Sequence, residues 1–225
     1  MVKIKICGLT SLDDASMAWN YGADLLGFIF AEGTKRFIEL NEASHIIRQL
    51  KSRFIDLKAV GLFVKEDLSD IAYAVAHCDL DLVQLHGSET PDECADLKKL
   101  VKDKYDREIE IIKAFRVADE IQHIEDFDLE DYTEADYFVF DTFHPGLPGG
   151  TGEKFNWDVL NRQKEKISKP FFLAGGLTPG NISEAIQEVQ PYGIDVSSGI
   201  EEKPRIKDQK LLKEFIDNAR NTKIT

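Results

Sequence analysis

Two side chains that can move protons, the thiol of Cys7 and the carboxyl group of Asp141, each end a short apolar run. Alternation along the first run places Lys5 and Cys7 on one face of a strand, and a nearby ammonium group lowers the pKa of a thiol toward the reactive thiolate. Asp141 follows four apolar residues, where desolvation favours the protonated carboxyl group that a general acid needs. A general base and a general acid are therefore predicted. The alternatives are that Cys7 is a buried structural cysteine and that Asp141 caps a helix or forms an ion pair in a loop.

Glycine and serine cluster where two later apolar runs end. Gly175-Gly176 follows one of these runs, and Ser197-Ser198-Gly199 follows the other. Glycine lets backbone amides approach an anion closely, and the N-terminus of a following helix adds a favourable dipole. We predict that Gly176, Ser197, Ser198 and Gly199 bind a phosphate group. Two ordinary glycine-rich turns are the alternative.

Three further features follow apolar runs. The Gly/Pro-rich loop 143–152, which contains Gly149 and Gly150, comes directly after the aspartate and is a candidate mobile lid over a substrate. Arg36 can hold a carboxylate with two parallel hydrogen bonds, although a solvated surface arginine fits its spacing equally well. His86 can bond a substrate, whereas a structural role is the commoner one for a lone histidine.

The elements that would position these residues repeat along the chain. Eight short apolar runs, typical of buried strands, cover residues 2–7, 25–30, 59–64, 82–85, 109–115, 137–141, 171–174 and 194–197. Helical periodicity or capping residues fill the intervals, with a cap at Ser11 and a stop at Gly22 for the first helix. The other helices are predicted over 42–52 (capped by Asn41), 67–77, 91–102, 118–127, 157–166, 180–189 and 207–219.

Strand followed by helix, eight times, predicts parallel strands closed into a barrel. The fold class is therefore α/β, a single (β/α)₈ TIM barrel over residues 1–225. An open doubly wound sheet is the alternative, but it would place its glycine-rich turn after the first strand, where Cys7-Gly8-Leu9-Thr10 has one glycine. In such a barrel the carboxyl ends of the strands form the active site, and the last two strands usually hold phosphate.

Composition limits the partners. The 225 residues suit one barrel domain, and the net charge of −13 with no basic stripe argues against nucleic acid. The three cysteines form no C-x-x-C pair, and no apolar run suits a signal peptide or a membrane span, so we expect a cytoplasmic protein with reduced thiols. The histidines lack metal-ligand spacing, so no metal is expected. The expected partner is a small phosphorylated substrate, and the sequence leaves monomer and homodimer open.

Taken together, these segments resemble the phosphoribosylanthranilate isomerases of tryptophan biosynthesis. The matching stretches run nearly from end to end: KIKICGLT (3–10), GADLLGFIF (22–30), KRF (35–37), VQLHG (83–87), FDT (140–142) with GGTG (149–152), LAGGL (173–177) with Asn181, and DVSSGIE (195–201). The combination is specific, whereas each piece alone is a weak signal.

The resemblance implies a cofactor-free Amadori rearrangement of N-(5'-phosphoribosyl)anthranilate to 1-(2-carboxyphenylamino)-1-deoxy-D-ribulose 5-phosphate. It also implies roles: Cys7 as general base, Asp141 as general acid, and Arg36 on the anthranilate carboxylate. Asp195 would lie near the ribose. The phosphate would be held by Gly176, Ser198 and Gly199, with Ser197 and Asn181 in the same two loops.

Two departures from the family pattern concern loops beside the predicted site. Arg205 stands where the family often has glycine before the last helix, and Glu153 precedes Lys154 after GGTG. Two other functions remain as alternatives. The histidine-pathway aminosugar isomerase shares the barrel and the chemistry, but it has aspartate after its first strand. A non-catalytic phosphosugar-binding barrel would be expected to lack the acid or the base.

Overall fold

Eight parallel strands close into a barrel in which each strand pairs with its neighbours in sequence and the last pairs with the first. This computed structural model describes residues 1–117, 127–141, 157, 160–161 and 164–223. The strands are β1 (Lys3–Ile6), β2 (Leu25–Ile29), β3 (Lys58–Phe63), β4 (Leu82–Leu85), β5 (Glu110–Arg116), β6 (Tyr137–Asp141), β7 (Phe171–Ala174) and β8 (Gly193–Val196). The predicted barrel is confirmed, and the open-sheet alternative is wrong.

Helices lie between most of the described strands and pack against the outside of the barrel. They are α1 (Leu12–Tyr21), α2 (Leu40–Lys51), α3 (Leu68–Cys78), α4 (Pro91–Tyr105), α5 (Ile182–Val189) and α6 (Gln209–Asn221). Capping fixes several of their ends as the sequence indicates. The Ser11 hydroxyl accepts from the Asp14 amide, Gly22 ends α1 in the left-handed conformation, and Thr90 and Glu93 form a capping box.

Three helix starts differ from the prediction. Helix α2 begins at Leu40 rather than after Asn41, whose side chain instead contacts His77. Helix α5 begins at Ile182 because the Asn181 side chain accepts from the Thr178 amide and holds the preceding residues in a turn. Helix α6 begins at Gln209, capped by the Asp208 side chain.

Of the helix predicted over 118–127 only residue 127 is described, and of the helix predicted over 157–166 residues 157, 160–161 and 164–166 are described. The described part of the second segment includes a 3₁₀ turn over Lys164–Lys166. Among the described residues no helix is long and apolar enough to cross a membrane.

Alternation along the strands separates two apolar layers. The barrel interior is filled by one cluster (Val60, Leu82, Ile112, Ala114, Val139, Phe172 and Ala174). The alternate residues of the same strands, such as Ile4, Ile6, Phe138 and Phe140, pack outward in the larger cluster that includes the helices. This alternation turns Lys5, Cys7 and Asp141 toward the barrel axis.

A small antiparallel hairpin follows β8 and was not predicted. A 3₁₀ turn over Ser198–Ile200 leads into β9 (Glu201–Lys203), which pairs with β10 (Ile206–Lys207). Lys207 therefore ends a strand rather than beginning a helix. The hairpin lies beside the strand ends because Lys207 contacts residues that follow β1 and β8.

Candidate active site

The predicted base lies above a buried ion pair inside the barrel. Lys5 and Asp195 are Cα partners across β1 and β8, and Lys5 Nζ donates to Asp195 Oδ2 at 2.7 Å. Both side chains are buried, and Lys5 also interacts with the thiol of Cys7. Burial alone would lower the pKa of Lys5, but Asp195 and Cys7 together raise it above its ordinary value. The ammonium group therefore stays charged beneath the thiol.

The pKa of the Cys7 thiol is nevertheless raised, not lowered. Burial is the largest cause, since it disfavours the thiolate, and the nearby Asp195 carboxylate adds to it. Lys5 and Lys207 act in the opposite direction without offsetting burial. Lys5 therefore acts on this pKa in the direction expected from the sequence, but burial outweighs it, so the net pKa of the thiol is not lowered toward the thiolate.

The predicted acid, Asp141, faces His86 across the barrel mouth. His86 Nε2 lies 3.4 Å from Asp141 Oδ2, and both side chains are largely buried. The other ring nitrogen, Nδ1, is 2.9 Å from the side-chain nitrogen of Gln84. When Gln84 donates to Nδ1, the ring proton lies on Nε2 and points toward the carboxylate. The geometry thus places His86 beside Asp141.

A buried ion pair fixes the turn that carries His86. Lys113 Nζ donates to Glu89 Oε2 at 3.0 Å and to the Gly87 carbonyl at 2.7 Å. Glu89 in turn accepts from the backbone amides of Gly87 and Lys65. The pair links β5 to the loops after β3 and β4, so the position of His86 depends on a network that the sequence pattern did not reveal.

Arg36 is held by a carboxylate of this chain. Its Nε and Nη2 donate to the two carboxylate oxygens of Glu201 at 2.7 and 2.5 Å. Glu201 also accepts from Lys207 at 3.0 Å, and Lys207 donates to the carbonyls of Cys7 and Ser197. Burial would raise the pKa of Glu201, but these two cations hold it below its ordinary value. The guanidinium is therefore linked through Glu201 and Lys207 to the backbone of Cys7, which directly follows β1.

Gly8 lies where three of these groups meet. A Cβ atom at this position would lie 2.5 Å from Arg36 Cδ and 2.8 Å from Ser197 Oγ, and the backbone φ is +73°. Strand β2 leaves similar room for Cys7, since a Cβ on Gly27 would lie 3.0 Å from the Cys7 sulfur. The absence of side chains at Gly8 and Gly27 thus lets Cys7, Arg36 and Ser197 approach one another.

The loops after β7 and β8, in which a phosphate site was predicted, contact each other. A Cβ on Gly199 would lie 1.8 Å from the Leu177 carbonyl oxygen, so only glycine fits there. Asn181 braces the first loop, because its side chain accepts from the Thr178 amide and donates to the Gly176 carbonyl. Ser198 begins the 3₁₀ turn after β8. Gly149 and Gly150 lie outside the described residues.

Buried oxygens without partners mark the interior of this site. Within the described ranges, Gln84 Oε1, Asp141 Oδ1, Asp195 Oδ1 and Ser197 Oγ are shielded from solvent and have no hydrogen-bond partner. They belong to inward-facing residues of β4, β6 and β8 or the loop directly after β8. Buried polar atoms are normally satisfied, so this set indicates a ligand rich in hydroxyl groups or other donors.

Comparisons with known proteins identify the family of this chain. A family model described as N-(5'phosphoribosyl)anthranilate (PRA) isomerase matches residues 4–218. The chain is 44% identical over 225 residues to the N-(5'-phosphoribosyl)anthranilate isomerase of Pelobacter propionicus, which covers 99% of this chain and 98% of that protein. The chain belongs to the N-(5'-phosphoribosyl)anthranilate isomerase family. The family resemblance found in the sequence is therefore confirmed, and the chain is an isomerase.

Solved structures of the family share the whole fold. The crystal structure of phosphoribosyl anthranilate isomerase from Thermotoga maritima superposes with a TM-score of 0.83 at 34% identity, covering 98% of this chain and 99% of that one. A second structure, of a phosphoribosyl anthranilate isomerase in complex with reduced 1-(o-carboxyphenylamino)-1-deoxyribulose 5-phosphate, has a TM-score of 0.80 at 32% identity and the same coverage.

Proposed function

We propose that this chain rearranges N-(5'-phosphoribosyl)anthranilate to 1-(2-carboxyphenylamino)-1-deoxy-D-ribulose 5-phosphate in tryptophan biosynthesis, with Cys7 as general base and Asp141 as general acid. The observation that carries the proposal is the inward-facing thiol and carboxyl group among buried oxygens that lack partners. A phosphorylated aminosugar supplies hydroxyl groups for those oxygens. Family membership supports the same substrate.

The acid acts first. Asp141 transfers a proton to the ring oxygen of the furanose while the anthranilate nitrogen pushes its electron pair toward C1'. The bond between C1' and the ring oxygen breaks, and a protonated Schiff base remains. The neighbouring His86 imidazole, whose Nε2 lies 3.4 Å from the Asp141 carboxylate, keeps that group aimed into the barrel.

The base acts second. The Cys7 thiolate removes the proton from C2', and the electron pair moves to the Schiff base to give an enolamine. Tautomerisation of the enolamine gives the ketone. Each positioned acid or base contributes about 10²–10⁴ in rate. Because the pKa of Cys7 is raised by burial, Lys5 has a role in this step: its ammonium group stabilises the thiolate.

The carboxylate at one end of the substrate and the phosphate at the other are bound by residues that do not contact the reacting carbon. Arg36 uses Nε and Nη2 for Glu201, and within the described chain Nη1 has no hydrogen-bond partner, so this nitrogen donates to the anthranilate carboxylate. The loops with Gly176, Ser198 and Gly199 hold the phosphate. Gripping both anions places C2' between the thiol and the carboxyl group, which lowers the entropic part of the barrier.

The test compares turnover by the wild type and two point variants. Turnover is measured as the loss of anthranilate fluorescence after enzyme is added to freshly made substrate. We expect Cys7→Ala and Asp141→Asn each to lose at least about 10²-fold in kcat while their circular dichroism is unchanged. Cys78→Ala is the matched control, since it removes a buried thiol outside the barrel interior. Turnover close to that of the wild type in either catalytic variant would refute the assigned role.

A further inference from the structure

The tip of the β9–β10 hairpin has an arginine where the backbone favours glycine. Pro204 and Arg205 form the two-residue turn between the strands, and Arg205 has a φ of +80°. A turn with proline at its second position and a positive φ at its third is of type II, which normally takes glycine at that third position. An L-residue is strained there, so the side chain of Arg205 is a candidate for a role beyond the turn.

Both ends of Arg205 bond to loops at the barrel mouth. Its guanidinium Nη1 donates to the Phe37 carbonyl at 2.5 Å, and its own carbonyl accepts from the Thr10 hydroxyl at 3.0 Å. Thr10 lies three residues after Cys7, and Phe37 directly follows Arg36. The hairpin tip therefore ties the loop after β1 to the loop after β2.

The base of the same hairpin holds the same two loops. Glu201 binds the Arg36 guanidinium through two hydrogen bonds, and Lys207 donates to the Cys7 carbonyl at 2.8 Å. Arg36 is thus fixed twice by one hairpin, at its side chain by Glu201 and at the adjoining backbone by Arg205. Arg205 is exposed, so its side chain can be truncated without leaving an unpaired charge in the interior. Truncating Glu201 would instead remove the carboxylate that pairs with Arg36 and Lys207.

We propose that Arg205 is a positioning residue that fixes the Arg36 loop for binding the substrate carboxylate. The inference rests on the proposed function, in which Arg36 contacts the anthranilate carboxylate. Arg205 acts through Arg36 and does not touch the reacting atoms. Its loss therefore weakens substrate binding and leaves the proton transfers by Cys7 and Asp141 in place.

The test compares Arg205→Ala with Arg205→Gly. Both variants lose the bond to Phe37, but glycine relieves the strain at positive φ whereas alanine retains it. We expect both to raise KM by about 3–10-fold, the size of effect that the loss of one ordinary hydrogen bond gives, with kcat within about twofold of the wild type. We also expect Arg205→Gly to have a higher Tm than Arg205→Ala. If Arg205 had only a structural role, KM would rise more in Arg205→Ala, the variant with the lower Tm, than in Arg205→Gly.

A double-variant cycle tests whether the effect passes through Arg36. Adding Arg205→Ala to Arg36→Met should leave KM where Arg36→Met alone puts it, because the positioned group is absent. Unchanged KM in both Arg205 variants, a KM rise confined to the less stable one, or an additive effect in the cycle would each overturn the inference. A wild type that leaves the substrate unchanged would instead refute the proposed function, and the inference with it.

Discussion

Replacing Gly8 by alanine tests whether the close approach between the loop after β1, which contains Gly8, and the side chain of Arg36 is needed for activity. The new Cβ would lie 2.5 Å from Arg36 Cδ, whereas ordinary contacts begin at 3.4 Å, so the arginine must retreat by roughly 1 Å. A displacement of about 1 Å in a positioning group can cost on the order of 10²-fold in rate. We therefore expect kcat/KM of Gly8→Ala to fall by up to about 10²-fold.

Gly33→Ala is the matched control for the strain of this substitution. Gly33 lies in the same loop as Arg36 and has a φ of +77°, close to the +73° of Gly8, but a Cβ on Gly33 meets nothing within 4 Å. Alanine in the left-handed region costs about 1–2 kcal/mol. At about 2–4 °C per kcal/mol for a chain of this size, Gly33→Ala should lower Tm by about 2–8 °C, and Gly8→Ala at least as much.

The assay combines thermal unfolding with steady-state kinetics measured well below the lower Tm. We expect both variants to be less stable but only Gly8→Ala to lose kcat/KM, mainly through a higher KM, with kcat/KM of Gly33→Ala within about twofold of the wild type. Equal losses of kcat/KM in the two variants would show that strain, and not the collision with Arg36, controls activity. Full activity of Gly8→Ala would refute the argument outright.

Three further predictions concern charges at the barrel mouth. Arg36→Met should raise KM more than it lowers kcat, and an unchanged KM in steady-state assays would count against its role. Lys5→Met should raise the pKa of the Cys7 thiol, so the ultraviolet absorbance of the Cys7 thiolate, taken as the difference from the same protein carrying Cys7→Ala, should appear at higher pH; a titration that stays in place would exclude Lys5 from stabilising the thiolate. The pKa of Glu201 is held below its ordinary value, so its stabilising contribution is present above the unfolded pKa of about 4.3 and is lost as pH falls through the folded pKa. The difference in urea unfolding free energy between wild type and Glu201→Gln should therefore shrink between pH 7 and lower pH, and a constant difference would contradict this.

The strands could be predicted because their apolar runs are short, alternate and recur. Alternation correctly turned Lys5 and Cys7 to the same inner face, since side-chain direction in a strand depends only on parity. The same reasoning placed Asp141 at the end of β6. These predictions depend on local pattern, which a single sequence contains.

The hairpin could not be predicted for the opposite reason. In β10 the apolar Ile206 is 40% exposed while the charged Lys207 is buried, which reverses the usual pattern. Lys207 is stabilised by partners distant in the sequence, among them the Cys7 carbonyl. The net pKa of Cys7 could not be predicted for a related reason: Lys5, two residues away in the sequence, lowers it as expected, but burial, which raises it more, depends on the whole barrel. Contacts of this kind appear only when the chain is folded.

The central claim is that a thiol from β1 and a carboxyl group from β6 act on one sugar. A crystal structure of this chain with reduced 1-(o-carboxyphenylamino)-1-deoxyribulose 5-phosphate tests it most directly. The account predicts the Cys7 sulfur at about 3–3.5 Å from C2' of the ligand and an Asp141 oxygen within about 3.2 Å of the oxygen on C4'. A ligand that contacts one of these side chains while the other opens onto a separate cavity would contradict the claim.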